Sequence, residues 1–148
     1  MTATKEQRVS LFLLTIVYLG FISLGMPDGL LGAAWPKMRQ DFGLSLSDNW
    51  PLMALTTTGG AFAGFISGRV LARFGVGLVL AVSALLTAVS ILAWACGSTW
   101  ATLVIFALPL GLGSGSVDSG MNSFVAKNLT ARHMNWLHAF WGVGVCTG

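Results

Sequence analysis

The stretch from residue 100 to residue 125, WATLVIFALPLGLGSGSVDSGMNSFV, decides the fold class of this 148-residue chain. It exceeds the roughly 20 apolar residues that a helix needs to cross a bilayer, and Asp118 is its one ionisable side chain. Only 9% of the chain is charged, whereas a soluble domain carries about 25%. The sequence therefore predicts an all-α integral membrane protein.

Similar apolar stretches before and after this one predict a bundle of four complete membrane helices and a fifth that the chain end cuts short. The expected helices cover residues 9–35, 49–68, 76–96, 100–125 and 136–148. We expect Pro36 to end the first helix, and residues 69–75 and 127–135 to form polar loops on one side of the membrane.

The basic residues predict the orientation of the bundle. With the N-terminus in the cytoplasm, the inner segments hold six of them: Lys5, Arg8, Arg69, Arg73, Lys127 and Arg132. The outer segments hold only Lys37 and Arg39, as the positive-inside rule requires. Four tryptophans then fall at the outer interface: Trp35, Trp50, Trp94 and Trp100. Both patterns favour a cytoplasmic N-terminus.

Glycines recur along the second, fourth and fifth helices. The second helix has Gly60, Gly64 and Gly68 at four-residue spacing, and the fifth has Gly144 and Gly148. In lipid such stripes let helix backbones approach closely. The spacing fits either static packing or helices that move against each other.

Two aspartates inside the apolar helices are the candidate binding groups. A carboxylate in the bilayer is costly unless it is neutralised, paired or faces a cavity, and such a group can load and release a proton. Asn122 follows Asp118 by four residues and shares its helix face. Asp28 is either a binding group near the middle of the membrane or a solvated residue in a turn formed by Pro27 to Gly29.

The two aspartates sit in similar surroundings, because Gly25 precedes Asp28 by three residues and Gly115 precedes Asp118 by three. Transporters built from inverted three-helix repeats make helices one and four equivalent. The echo predicts that both carboxylates face one central site.

Histidine and cysteine residues give weaker signals. His138 is either a proton relay or gate near the start of the fifth helix, or a packing residue, and His133 is expected in a solvated loop. Cys96 and Cys146 are too few for a disulfide framework. Neither a cluster of metal ligands nor a Gly-x-Ser-x-Gly elbow is present, so we expect no metal, no cofactor and no enzyme activity. The net charge of +3 is small, and we expect no nucleic-acid partner.

Residues 68–75, GRVLARFG, resemble the loop between helices two and three of the major facilitator superfamily. Gly68, Arg73 and Gly75 match the pattern in spacing, while Ala72 replaces its aspartate. The resemblance implies a gating role for this segment, which lacks the carboxylate of the usual latch.

Residues 111–125 resemble helix four of the fucose:proton symporter branch of that superfamily, in which an acidic residue precedes an asparagine by four. Asp28 matches an aspartate in helix one, and residues 135–138 resemble the start of helix five. The resemblance implies a proton-coupled transporter of a small solute that works by alternating access. Asp28, Asp118, Asn122 and His138 would bind substrate or protons, and a C-terminal half would follow.

Two other functions fit parts of the sequence. A small four-helix multidrug exporter that works as a dimer has about this length, but the GRVLARFG segment and the interrupted fifth helix argue against it. A non-transporting scaffold subunit has no use for two carboxylates within the membrane.

Overall fold

The computed structural model describes residues 11–148, so Lys5, Arg8 and the expected helix start at Val9 lie outside the described residues. Five α-helices follow one another: α1 Leu11–Asp41, α2 Trp50–Phe74, α3 Val76–Cys96, α4 Trp100–Asn128 and α5 Ala131–Thr147. A short 3₁₀ turn, Leu46–Asn49, precedes α2. The described part of the chain contains no strand, and the all-α fold class is confirmed.

The first helix does not end at Pro36, as we expected, but continues to Asp41. A proline removes one backbone hydrogen bond, and α1 tolerates this loss at both Pro27 and Pro36. The helix ends where Gly43 adopts φ 66°, a left-handed conformation that glycine reaches without strain. The final turn is closed by the Leu44 N–H, which donates to the carbonyl of Arg39 at 2.7 Å.

The polar segments expected as loops are mostly helical. Residues 69–74 belong to α2, and Gly75 with φ 76° is the one residue between α2 and α3. Only Leu129 and Thr130 separate α4 from α5, and both have extended backbones. These predictions were wrong because charged residues at the end of a membrane helix can remain helical while their side chains reach the interface.

The exterior of the bundle suits lipid. By length and composition, α1, α3 and α4 qualify as membrane spans among the described residues. The α2 helix has 25 residues, but its threonines and glycines make it less apolar. Large apolar side chains such as Phe65, Leu85 and Ile105 are more than half exposed, as expected for a surface that faces hydrocarbon rather than water.

Helix pairing defines the architecture: α2 and α3 pack along α4, and α1 packs along α5. Two clusters of buried side chains hold these pairs together. Near the α4–α5 link the cluster contains Val17, Phe21, Val117, Met121, Val125 and Leu137. Near the α3–α4 link it contains Trp35, Leu52, Leu103 and Ala107. A space remains between the clusters and between the two helix pairs.

Glycines allow the backbones of two helix pairs, α1 with α5 and α4 with α2, to approach closely. On α1, a Cβ at Gly25 would collide with the backbone of Trp141 and Val145 on α5. On α4, a Cβ at Gly115 would collide with the backbone of Gly60 on α2. The expected stripe on α2 is only partly used, because Gly64 has ordinary distances to its neighbours and Gly68 faces open space.

Candidate functional site

A cavity of about 750 Å³ lies among α1, α2, α4 and α5. Both Asp28 and Asp118 line it, one from each of the two helix pairs. Its volume falls within the range of roughly 300–1,000 Å³ that is usual for small-molecule sites. The structure therefore brings together the two carboxylates that the sequence singled out.

Asp28 lies within a continuous part of α1, so the interpretation of Pro27 to Gly29 as a turn at a helix end was wrong. The close contact of Gly25 with α5, one helical turn earlier, holds this part of α1 against its neighbour. Asp28 is exposed to the cavity, and its carboxyl interacts with the indole of Trp141 on α5.

Asp118 is half-buried on α4 and is held more firmly. The amide Nδ2 of Asn122 donates a hydrogen bond to its Oδ1 at 3.0 Å. His138 on α5 is close enough for a charge interaction with the carboxyl. Asn122 and His138 are not among the residues that line the cavity, and each is next to Asp118, which does line it.

The α5 helix contacts both carboxylates. His138 lies near Asp118, and Trp141 lies near Asp28. The two residues are three positions apart and share one helix face. The His138 ring packs edge-on against the ring of Phe21 on α1, with 6.1 Å between the two ring centroids. This contact places His138 between α1 and Asp118 of α4. Trp141 was not among the predicted site residues: its spacing places it on the same face of α5 as His138, but only the pairing of α5 with α1 brings it to Asp28.

Two further tryptophans line the cavity. Trp35, expected at the membrane interface, lines it and donates from Nε1 to the carbonyl of Leu46 at 3.0 Å. Trp94 lines it from α3 and donates to the carbonyl of Leu103 at 2.9 Å. Their role was missed because cavity lining depends on how distant helices pair, which hydropathy does not report.

The segment expected to form a gating loop lies apart from the cavity. Gly68 and Arg73 are part of α2, and Gly75 is the link to α3. The Arg73 guanidinium lies over the ring of Phe74, 5.6 Å from its centroid. Among the described residues, the one ion pair joins Lys37 to Asp41, so Arg73 has no carboxylate partner there.

His133 was expected in a solvated loop, and this prediction was wrong: the residue lies within α5 and is half-buried. Its Nδ1 shares a hydrogen bond of 2.6 Å with the hydroxyl of Tyr18 on α1. This bond joins α1 and α5 near the α4–α5 link, away from the two aspartates. Cys96 and Cys146 are both exposed, free thiols.

Comparison with known proteins agrees with this architecture. Over 108 residues, or 73% of the chain, the sequence is 29% identical to the 4-hydroxybenzoate transporter PcaK of Acinetobacter baylyi (strain ATCC 33305 / BD413 / ADP1). The matched region spans 24% of that relative's length. No solved structure matches the chain. The family model of the major facilitator superfamily matches residues 17–148, and the chain therefore belongs to that superfamily.

Proposed function

We propose that this chain forms the N-terminal part of a secondary active transporter that moves a small solute together with, or in exchange for, protons. One observation carries the proposal: Asp28 and Asp118, on two different helices, line the same cavity. A charged carboxylate inside the membrane is costly, and binding a proton or a solute removes that cost. A site with two such groups suits the exchange of protons and solute.

The two carboxylates have different tasks in this proposal. Asp118, with a donor from Asn122 and a charge interaction with His138, is the proton site. His138, which lies near Asp118 on α5, relays the proton to it. Asp28, more exposed and beside Trp141, contacts the solute.

Alternating access requires a second half that closes over the cavity from the other side. The relative is about four times as long as the region matched here, so transport is a property of a complete transporter with further helices. The fucose:proton symporter branch remains our proposed relationship within the superfamily. Gly68, Arg73 and Gly75 would then lie at the cytoplasmic face of the inner membrane and act in gating.

The relative's name assigns 4-hydroxybenzoate to that protein. The likeness, at 29% identity, and the size of the cavity support a small solute as the substrate of this transporter. The alternative of a small four-helix dimeric exporter loses its support, because the chain belongs to the major facilitator superfamily.

The test uses the complete transporter that carries this chain, reconstituted in vesicles with an internal pH-sensitive dye. A panel of amines, sugars and carboxylates is added outside, and proton movement is recorded. We expect Asp118→Asn to abolish solute-driven proton movement while exchange of labelled solute across the membrane continues. The matched control is Asp41→Asn, the same change at an exposed residue of α1 outside the cavity. Unchanged proton movement in Asp118→Asn would refute the assignment of the proton site.

A further inference from the structure

We propose that the cavity takes an organic amine cation with an apolar body, such as an arylalkylammonium ion. This inference rests on the proposed function and names the class of its solute. It stands on three features of the cavity: its charge, its hydrogen-bonding groups and its aromatic surface.

The charge of the cavity favours a cation. Asp28 and Asp118 line it, and none of the described residues that line it is arginine, lysine or histidine. His138, which interacts with Asp118, lies outside this lining. Two carboxylates in a medium of low dielectric repel an anion strongly, and a cation between them compensates their charge. The one donor on Asp118, from Asn122, engages a single carboxylate oxygen and leaves the other available.

The hydrogen-bonding groups favour a ligand that only donates. The indole N–H groups of Trp35 and Trp94 are committed to backbone carbonyls at 3.0 and 2.9 Å. The hydroxyls of Thr56 and Ser114 donate to carbonyls of their own helices at 2.5 and 3.2 Å. The cavity thus offers mainly acceptors, namely the carboxylate oxygens and the hydroxyl lone pairs.

Among the described lining residues, three more carry a donor. The Trp141 indole N–H is directed at Asp28, Thr57 has its hydroxyl, and the Asn49 amide has given one N–H to the sulfur of Met53 at 3.8 Å. An ammonium group has three donors and no acceptor, so each of its own N–H groups finds an acceptor in this cavity. A sugar or a carboxylate brings many acceptors that need donors, and unpaired acceptors cost binding free energy.

The aromatic surface favours an apolar body on the amine. Trp94 is half-buried and Trp141 is exposed, and both bring indole surface to the cavity that both carboxylates line. An indole face attracts a cation near its ring and packs well against a hydrocarbon or aryl group. An arylalkylammonium ion therefore matches the carboxylates with one end and the tryptophans with the other.

The experiment compares three probes with the same phenylethyl body: phenethylamine, 2-phenylethanol and 3-phenylpropanoate. Their binding to the purified complete transporter is measured at pH 7 by the rise in unfolding temperature with ligand concentration. We expect the amine to bind at least about tenfold more tightly than either of the others, since a charge pair and a cation–π contact each add to its affinity. Equal binding, tighter binding of the alcohol or the carboxylate, or binding of none of the three overturns the proposal.

Variants locate the effect. Asp28→Asn is expected to remove the preference for the amine, a loss of about tenfold, and to leave 2-phenylethanol binding unchanged. Asp41→Asn, the matched exposed control, retains the preference. The unfolding curve itself shows whether each variant is folded, and the three-probe comparison in the unaltered protein does not depend on any variant.

Vesicle measurements separate this inference from the proposed function. Proton movement driven by the alcohol or the carboxylate but not by the amine would mean that proton coupling stands and the amine class is wrong. Transport of labelled phenethylamine without any proton movement would mean that the amine class stands and proton coupling is wrong.

Discussion

The two helix pairs, α1 with α5 and α4 with α2, are built alike around their aspartates. In each pair a glycine contacts the backbone of the partner helix, and an aspartate follows one turn later and reaches the cavity. The residues are Gly25 and Asp28 in one pair and Gly115 and Asp118 in the other. Inverted three-helix repeats relate helix one to four and helix two to five, so the pairing α1–α5 corresponds to α4–α2. The sequence echo therefore reflects equivalent packing.

The pairs differ in what holds the carboxylate. Asp118 takes its hydrogen bond from Asn122 on its own helix, whereas the corresponding position after Asp28 is Gly32, which has no side chain to donate. The polar partner of Asp28 is Trp141, on another helix. Asp118 therefore keeps its hydrogen bond when α5 moves, although its charge interaction with His138 changes, whereas the polar partner of Asp28 itself moves with α5. This difference is why we assign protons to the first and solute to the second.

The largest expected effect comes from breaking the common packing. Gly25→Leu and Gly115→Leu each place a side chain where a partner backbone lies, because even a Cβ collides with Trp141 or Gly60. We expect each change to destabilise the complete transporter by about 3 kcal/mol or more. The measurement is the unfolding temperature in detergent, together with the yield of folded protein.

The matched control is Gly142→Leu on α5, where a Cβ meets nothing within 4 Å. It should change the unfolding temperature little, since its side chain enters open space. If Gly25→Leu were tolerated as well as this control while Gly115→Leu were not, the two pairs would not be equivalent.

Much of this architecture could be predicted from the sequence, because membrane helices are long apolar runs and Asp28 and Asp118 stand out within them. Helix ends were harder to predict, since a proline ends some helices, whereas α1 continues through Pro36 to Asp41. Residues 69–74 were expected to form a loop because their arginines mark the membrane surface. Charge does not end a helix, however, and α2 continues through this segment.

The composition of the cavity could not be predicted in this way. Trp94 and Trp141 come from different helices, and their presence in one cavity with Asp28 depends on pairings between distant segments. Hydropathy and residue spacing describe each helix separately and carry no information about its neighbours. The Gly-x-x-Asp echo was the one local pattern that pointed beyond its own helix, and what Asp28 and Asp118 do stays a prediction.

A smaller effect is expected from Asn122→Leu, which acts on the Asp118 side alone. The change removes the 3.0 Å hydrogen bond to the carboxylate and keeps a side chain of similar size. Because hydrogen bonds to charged groups contribute about 1.5–3 kcal/mol, we expect proton-driven accumulation of phenethylamine to fall by about tenfold or more. Binding of the amine at Asp28 should change much less.

Accumulation is measured in vesicles with an imposed pH gradient, and binding by the unfolding temperature. The control is Asn128→Leu, which removes an asparagine of the same helix that bonds only to the backbone carbonyl of Phe124, at 2.8 Å. Equal losses in the two variants would show that Asn122 acts through the stability of α4 and not through Asp118.

The smallest effect should come from Trp141→Phe, which acts on the Asp28 side. Phenylalanine keeps an aromatic ring in the cavity and removes the indole N–H that interacts with the carboxyl. Since Asp28 is exposed to the cavity, a solute donor or water replaces part of that interaction, and we expect phenethylamine affinity to change by about fivefold or less. Trp136→Phe, a change of the same type on α5 at a residue that packs on Phe140 outside this cavity, is the control and should leave affinity unaltered. A loss of proton-driven accumulation larger than that of Asn122→Leu would reverse the assignment, because it would make Asp28, and not Asp118, the carboxylate that carries the proton.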